Sequence, residues 1–338
     1  MTPLLRATGL EKHFPIRKGL LLREVGQVKA VDGVDLEVFP GETVGLVGES
    51  GCGKSTLGRT LIRLYEPTAG TIEYRGEDFR ALRGERLRDM RKNIQMIFQD
   101  PFASLDPRMT ISRILSEPFK VHDVCPARER QQRAQQLLET VGLKASYLNR
   151  YPHEFSGGQR QRISIARAIA LNPELVIADE PVSALDVSIQ AQVLNLLKDL
   201  QAQFKLTYVF ISHDLSVIDH FCDRVAVMYL GRIIEMAPKA ELFSNPRHPY
   251  TQALIEAIPR VGAGKKQMKP ALMGEVPSPI APPRGCHFHP RCPKFFDGCD
   301  RAYPSLDEVA PGHRVACRLY ATAHASTAHD AAARQVPA

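Results

Sequence analysis

Four short apolar runs stand out along the chain, and each is followed by a polar or glycine-rich segment. They begin at Val44, Ile94, Leu175 and Tyr208. Apolar runs of this length between polar segments are typical of buried strands in a parallel sheet. The pattern therefore predicts an α/β fold built around a parallel sheet.

The first forty residues follow a different pattern. Residues 4–14 predict an opening strand, and Val34, Leu36 and Val38 alternate with polar neighbours before a Pro-Gly turn. Alternation of this kind predicts an antiparallel β layer that leads into the first apolar run. Residues 16–29 are basic, contain glycine and have no clear period, so we predict a surface loop there.

Helical patterns fill the stretches between the predicted strands. Residues 85–93 mix both charge signs and predict a helix with a solvated face. Residues 127–141 are strongly helical in composition, and a further helix follows Ser156. Together with three prolines after residue 100, these patterns predict a helical subdomain at about 100–170.

The first apolar run leads into a phosphate-binding loop with the pattern G-x-x-x-x-G-K-[ST]. The loop and its flank comprise Gly48, Glu49, Ser50, Gly51, Cys52, Gly53, Lys54, Ser55 and Thr56. The glycines let backbone N–H groups approach phosphate oxygens at the positive end of the following helix. We expect Lys54 to reach the β- and γ-phosphates of a nucleoside triphosphate and Ser55 to bind Mg²⁺.

Polar residues follow the other apolar runs, where ligands bind in α/β folds. Asp179 and Glu180 end the third run; the first is expected to hold Mg²⁺ and the second to orient or deprotonate the attacking water. Gln99 is either a polar exit residue or a sensor of Mg²⁺ and water. His213 could satisfy a core hydrogen bond, but a contact with the γ-phosphate is favoured.

Two further segments each have a structural and a functional interpretation. The ring of Phe14 could stack on adenine or pack in the core, and the sequence favours neither. Ser156, Gly157 and Gly158 precede a helix, where they could form only an N-cap and turn. The same bare helix N-terminus could also hold phosphate.

Composition places the chain among ordinary soluble globular proteins. Hydrophobic residues make up 44% and charged residues 24%, and no apolar run is long enough to cross a membrane. We therefore expect a cytoplasmic location. The formal net charge is +7, and from Lys239 onward thirteen Lys/Arg stand against eight Asp/Glu. Because no basic run with interleaved aromatics accompanies this excess, no nucleic-acid partner is expected.

Four of the seven cysteines crowd one region near the C-terminus: Cys286, Cys292, Cys299 and Cys317. Without a secretory signal, this clustering suggests metal ligation before disulfides. Four thiolates suit either zinc or an iron–sulfur cluster, and the usual spacings of both are absent. A small core of four reduced cysteines is the alternative, although a region rich in proline and charge needs a covalent or metal staple.

The motifs occur together, in order, over residues 4 to about 260, and they resemble the ATPase subunit of ABC transporters. The matching positions are Phe14 (aromatic A-loop), residues 48–56 (Walker A), Gln99 (Q-loop), residues 155–159 ending in Gln159 (signature), residues 175–180 (Walker B), Asp186 (D-loop) and His213 (switch histidine). Phe155 stands where the family usually has leucine. The resemblance implies that Ser156, Gly157, Gly158, Gln159 and Asp186 help to bind ATP across a dimer of two ATPase subunits.

A narrower resemblance covers residues 99–107, 248–250 and 277–317, which are similar to the dipeptide and oligopeptide importers. It implies a partner ATPase subunit, commonly non-identical, two membrane permeases and an extracytoplasmic binding protein. The chain would then lie peripherally on the cytoplasmic face of the inner membrane. The resemblance also favours a [4Fe–4S] cluster on the four cysteines, with zinc second.

The sequence thus predicts an ABC ATPase domain at residues 4–245, a cysteine-bearing extension at 246–320 and a disordered tail at 321–338. The predicted function is ATP hydrolysis that energises a peptide importer through dimerisation of two ATPase subunits. The alternative is a soluble ABC-type switch on nucleic acid or the ribosome. The sequence does not identify the transported solute.

Overall fold

The computed structural model of the chain describes residues 2–19, 22–258 and 274–320. The strands in these ranges are β1 (Leu5–Lys18), β2 (Arg23–Val38), β3 (Thr43–Val47), β4 (Ala69–Tyr74), β5 (Glu77–Asp78), β6 (Ile94–Ile97), β7 (Leu175–Asp179), β8 (Thr207–Ile211), β9 (Arg224–Tyr229), β10 (Arg232–Pro238), β11 (Asp307–Ala310) and β12 (His313–Val315). The α-helices are α1 (Lys54–Leu61), α2 (Gly84–Asn93), α3 (Pro101–Ser104), α4 (Ile111–Val121), α5 (Ala127–Thr140), α6 (Gly157–Ile169), α7 (Val187–Phe204), α8 (Leu215–Phe221), α9 (Lys239–Ser244) and α10 (Pro249–Glu256).

The antiparallel layer is a four-stranded sheet in the order β2-β1-β4-β5, which confirms this part of the predicted fold. The surface loop predicted at residues 16–29 is wrong. The ladder of β1 and β2 continues outward, with Phe14 opposite Val28 and Lys18 opposite Arg23. Backbone hydrogen bonds form this hairpin, and its outer side chains carry no apolar alternation that would mark it as a strand pair.

The larger sheet has the order β11-β12-β10-β9-β3-β8-β7-β6. Strands β9, β3, β8, β7 and β6 run parallel to one another, as the apolar runs predict. Successive residues of each strand point to opposite faces. Ile177 therefore packs towards the antiparallel layer and α1, whereas Val176 and Ala178 pack towards the other helices.

The predicted helices form close to their expected bounds. Helix α5 matches the prediction at residues 127–141, and α2 buries none of its residues, which fits its mixed charges. Helices α3 to α6 lie within residues 101–169, where we predicted a helical subdomain. Its identity as a separate unit stays a prediction.

The C-terminal region joins the larger sheet. Strand β12 pairs antiparallel with β10, and β11 pairs with β12, so the sheet continues across the boundary predicted after residue 245. The domain bounds stay a prediction, and the tail predicted at residues 321–338 lies outside the described residues. Within the described ranges, no helix has both the length and the apolar character needed to cross a membrane.

Candidate nucleotide-binding site

The loop between β3 and α1 has a backbone that only glycine permits at two positions. Gly48 and Gly53 have φ angles of 152° and 109°. A Cβ at Gly48 would lie 2.2 Å from the carbonyl oxygen of Met228, and one at Gly53 would lie 2.0 Å from that of Ala30. The loop is therefore held tightly against neighbouring backbone, and its conformation depends on these glycines.

The Lys54 side chain is buried at the first position of α1. Its ammonium group donates hydrogen bonds to the carbonyl oxygens of Gly48, at 2.7 Å, and Glu49, at 3.0 Å. Cys52 is buried beside it, whereas Ser50 and Gly51 are exposed. The lysine therefore spans the loop from the inside, at the N-terminus of a helix that favours anions.

Strand β7 brings the third apolar run beside the loop. The Ser55 hydroxyl donates a 2.7 Å hydrogen bond to Asp179, and Arg59 lies 3.4 Å from the other carboxylate oxygen. Asp179 is fully buried, and burial raises the pKa of its carboxyl group against the opposing effect of Ser55 and Arg59. Arg59 was not singled out in the sequence, although its position one turn after Ser55 on α1 is the signal for such a contact.

A second polar cluster forms around Glu180, which directly follows Asp179. Its carboxylate accepts a 2.9 Å hydrogen bond from the amide of Gln99, and Nδ1 of His213 lies 3.2 Å away. Glu180 itself has a φ of 46°, a left-handed conformation that is strained for a residue with a side chain. The structure thus brings together the polar residues that end β6, β7 and β8.

Phe14 lies on β1 and is half-buried. Its ring meets that of Tyr65 edge to face at 5.5 Å, and the ammonium of Lys12 lies 5.0 Å from its centroid. The contact with Tyr65 fits core packing, while the exposed part of the ring leaves stacking open. The adenine role stays a prediction.

The hydrogen bonds of the predicted signature segment are local. Ser156 is the N-cap of α6. Its hydroxyl accepts from the backbone N–H of Gln159, and the side-chain oxygen of Gln159 accepts from the backbone N–H of Ser156. A Cβ at Gly158 would lie 2.5 Å from Ile189, which explains glycine there. Asp186 caps α7 by accepting from the N–H of Ile189. Ser156 and Asp186 are exposed, and their roles in ATP binding stay predictions.

Sequence reasoning missed two side chains of the C-terminal region that contact the phosphate-binding loop. The Tyr250 hydroxyl accepts a 2.8 Å hydrogen bond from the backbone N–H of Glu49, and Arg291 pairs with the Glu49 carboxylate. The His-Pro-Tyr segment at residues 248–250 was noted in the sequence, but only as a mark of resemblance. Contacts between residues more than two hundred positions apart leave no local signal.

The four C-terminal cysteines line one cavity of about 20 Å³. The N–H of Cys286 donates a 2.7 Å hydrogen bond to the carbonyl of Cys299, and burial raises the pKa of the Cys286 and Cys317 thiols to about 11. Within residues 2–19, 22–258 and 274–320, however, no group of three or more His, Cys, Asp or Glu side chains could hold a metal ion. The predicted metal centre is therefore not supported.

Comparisons with known proteins agree with this geometry. The family model described as "ABC transporter" matches residues 31–183, and that of "Oligopeptide/dipeptide transporter, C-terminal region" matches residues 234–299. The chain is 58% identical over 320 residues to the oligopeptide transport ATP-binding protein AppF of Bacillus subtilis, covering 94% of this chain and 97% of AppF. It is 52% identical over 316 residues to the dipeptide transport ATP-binding protein DppF of Haemophilus influenzae, covering 94% and 96%.

Among solved structures, the chain resembles the dimeric post-hydrolysis state of the ATP-binding cassette MJ0796 bound to ADP and Pi. The TM-score is 0.62 at 28% identity, over 70% of this chain and 98% of that one. The chain therefore belongs to the ABC transporter family of ATP-binding proteins. Within it, the chain belongs to the oligopeptide and dipeptide transport group. The predicted resemblance is confirmed, and the alternative of a soluble nucleic-acid switch gains no support.

Proposed function

We propose that this chain is the ATP-hydrolysing subunit that energises import of dipeptides or oligopeptides. The observation that carries the proposal is the convergence of Lys54, the Ser55–Asp179 pair and Glu180 at the carboxyl edge of one parallel sheet. Ligands of open α/β sheets bind at this edge. The names of the relatives supply the peptide substrate class.

Each side chain has a separate task in the proposed reaction. Lys54 would bind the β- and γ-phosphates, as its charge and its place at a helix N-terminus favour. Glu180 would accept a proton from water while the water oxygen attacks the γ-phosphorus and ADP leaves. Gln99 would position that water through its 2.9 Å bond to Glu180, and His213 would contact the γ-phosphate.

The oxygens at the base of the loop fit Mg²⁺. The Ser55 hydroxyl and the Asp179 carboxylate are the hard ligands that this ion prefers, and they already lie 2.7 Å apart. Gln99 would complete the protein ligands. Bound there, Mg²⁺ would neutralise phosphate charge during hydrolysis.

A second ATPase subunit completes the proposed site. Ser156, Gly157 and Gly158 would face the γ-phosphate held by the partner's phosphate-binding loop, so that ATP joins the two subunits. The exposure of Ser156 and Asp186 supports action across an interface. ATP would thus close the dimer and hydrolysis would open it. Two membrane permeases, fed by an extracytoplasmic binding protein, would couple this cycle to transport at the cytoplasmic face of the inner membrane.

The assignment of Glu180 is tested by Glu180→Gln, which keeps the shape of the side chain but removes its charge and basicity. We expect ATP hydrolysis by the assembled transporter to fall by about 10² to 10⁴, with ATP binding retained and ATP-bound dimers accumulating. The matched control is Glu174→Gln, immediately before the amino end of β7. Undiminished hydrolysis by Glu180→Gln would remove this residue from its role.

The transport proposal has its own test. In vesicles that contain the chain, its partner ATPase, the permeases and the binding protein, dipeptides or oligopeptides should stimulate ATP hydrolysis and accumulate inside. Stimulation by other solutes but by no peptide would contradict the substrate class. This test leaves the ATPase assignment intact.

We also propose that the cysteine cavity holds a [4Fe–4S] cluster. A single zinc ion with Zn–S bonds of about 2.3 Å would draw its sulfur ligands to within about 4 Å of one another. A cluster carries its thiolates on separate corners, further apart. What supports the proposal is that the four cysteines line one cavity and that the resemblance to the peptide-importer extension favours iron–sulfur over zinc. Its role would be structural.

Anaerobically purified protein should therefore be brown and contain iron and acid-labile sulfide. Cys292→Ser should bleach it and destabilise the C-terminal region while ATP binding persists. The control is Cys125→Ser, because Cys125 is buried in a separate hydrophobic cluster away from the cavity. A content of one zinc per chain with no iron or acid-labile sulfide would contradict the cluster assignment.

A further inference from the structure

Three groups of Glu49, the residue after Gly48 in the phosphate-binding loop, are held by other parts of the chain. Its backbone N–H donates to the Tyr250 hydroxyl at 2.8 Å. Its carboxylate accepts from both terminal nitrogens of Arg291, at 2.8 and 3.1 Å. Its carbonyl accepts from Lys54. One residue thus joins the C-terminal region to the lysine that is proposed to bind phosphate.

The two contacts from the C-terminal region are rigidly supported. Tyr250 is fully buried, and its ring packs against Tyr229 at 4.7 Å and Phe288 at 5.4 Å. The Arg291 side chain is only 5% exposed, and the Tyr229 hydroxyl lies 3.3 Å from one of its nitrogens. A two-bond pairing between guanidinium and carboxylate fixes orientation as well as distance. The loop is therefore held against a packed aromatic cluster.

We propose that Tyr250 and Arg291 are positioning residues for the phosphate-binding loop, so that the C-terminal region sets the affinity for nucleotide. The inference rests on the proposed function, because it takes Lys54 as the phosphate-binding residue. Because Tyr250 and Arg291 fix the N–H and the carboxylate of Glu49, they also fix its carbonyl, which orients Lys54. Without these contacts, the loop must be ordered when nucleotide binds, and affinity falls.

Arg291 also stands directly before Cys292, which lines the cysteine cavity. Any change that disorders the backbone around this cavity should therefore displace Arg291 and weaken its hydrogen bonds to Glu49. The positioning role follows from the contacts at Glu49 alone and does not require a cluster.

The first test is Tyr250→Phe, which removes one hydroxyl without altering charge. The full-length chain is titrated with a fluorescent ATP analogue, and its stability is measured by urea unfolding. We expect the Kd to rise about threefold to tenfold, the range for one lost hydrogen bond. The matched control is Tyr208→Phe, a buried tyrosine whose hydroxyl bonds to the Leu197 carbonyl in the core. The control should bind ATP as the unaltered chain does, even if it is less stable.

The second test separates positioning from simple attraction between Arg291 and phosphate charge. Arg291→Met is measured in the unaltered chain and in Glu49→Ala. If Arg291 acts through Glu49, the Arg291→Met substitution raises the Kd for the ATP analogue in the unaltered chain. The same substitution leaves the Kd unchanged in Glu49→Ala. An equal rise in both backgrounds would overturn the positioning role, because a long-range charge effect does not need Glu49.

Lys54→Ala tells a failure of this inference from a failure of the proposed function. If Lys54→Ala binds nucleotide as tightly as the unaltered chain, the nucleotide site itself is wrong. Only the positioning role is overturned if Lys54→Ala loses binding while the Kd values of Tyr250→Phe and Arg291→Met stay within about twofold of the unaltered chain. The loss of a hydrogen bond should change the Kd by more than this.

Discussion

The buried carboxylate of Glu235 should be a main attachment between the C-terminal region and the larger sheet. It lies on β10 between Ile234 and Met236 and is fully buried. It accepts hydrogen bonds from the backbone N–H groups of Arg247, at 2.7 Å, and His248, at 2.9 Å. Nε2 of His313 on β12 lies 2.8 Å from the same carboxylate.

Glu235→Leu keeps a side chain of similar size but leaves three donors, two of them fully buried, without this acceptor. Each unsatisfied donor costs about 1–3 kcal/mol, and part of this loss is offset because a buried carboxylate no longer has to be desolvated. We therefore expect the free energy of unfolding to fall by about 3–5 kcal/mol, as for other broken buried pairs. Glu235→Gln, which keeps one acceptor oxygen, should cost less.

Urea unfolding followed by far-ultraviolet circular dichroism measures this loss, since the chain has no tryptophan. Glu37→Gln is the control, because its carboxylate pairs with Arg6 at the surface and should contribute under about 1 kcal/mol. Faster hydrogen exchange at the amides of Arg247 and His248 would locate the effect. A loss below about 1 kcal/mol in Glu235→Leu would refute the reasoning, because the donors would then have found other partners.

The remaining predictions concern ATP binding and pH. Lys54→Ala should weaken ATP binding to the isolated chain by about tenfold or more, because a charge-assisted bond to phosphate is lost. Ser156→Arg should leave that affinity unchanged and block ATP-driven dimerisation in a sedimentation assay; loss of monomer binding would contradict the composite site. Burial alone would raise the pKa of Asp32, but Arg232, Lys29 and His13 hold it below the usual range. Its stabilising effect is therefore present above about pH 4 and is lost as pH falls through the lowered pKa. Urea unfolding should show Asp32→Asn destabilised at pH 7, with the difference from the unaltered chain shrinking as pH falls below about 4.

The grouping of the candidate nucleotide-site residues could be predicted because each of them lies in a short, local sequence pattern. An apolar run followed by Asp179 and Glu180 specifies both a buried strand and the edge at which its side chains emerge. Parallel neighbours then bring Gln99 and His213 to the same edge. No long-range information was needed beyond the order of the strands.

Other features were not predictable because backbone pairing or distant contacts determine them. The hairpin at residues 16–29 is held by main-chain hydrogen bonds between segments that mix basic and apolar side chains without a strand-like period. Glu235 interrupts an apolar strand, and only the fold reveals that its partners come from residues 247, 248 and 313. The contacts of Glu49 are of the same kind.

The position of β9 explains why the C-terminal region reaches the loop that contains Glu49. Strand β9 runs parallel to β3, with Val227 beside Val47, so its end at Tyr229 lies next to the start of the phosphate-binding loop. The chain then returns through β10, whose other edge receives β12. The C-terminal region that docks on this edge packs Phe288 against Tyr229 and also brings Arg291 to Glu49. The connection between the extension and the loop therefore follows from the order of the strands. Any change that separates β12 from β10 should alter the position of Lys54.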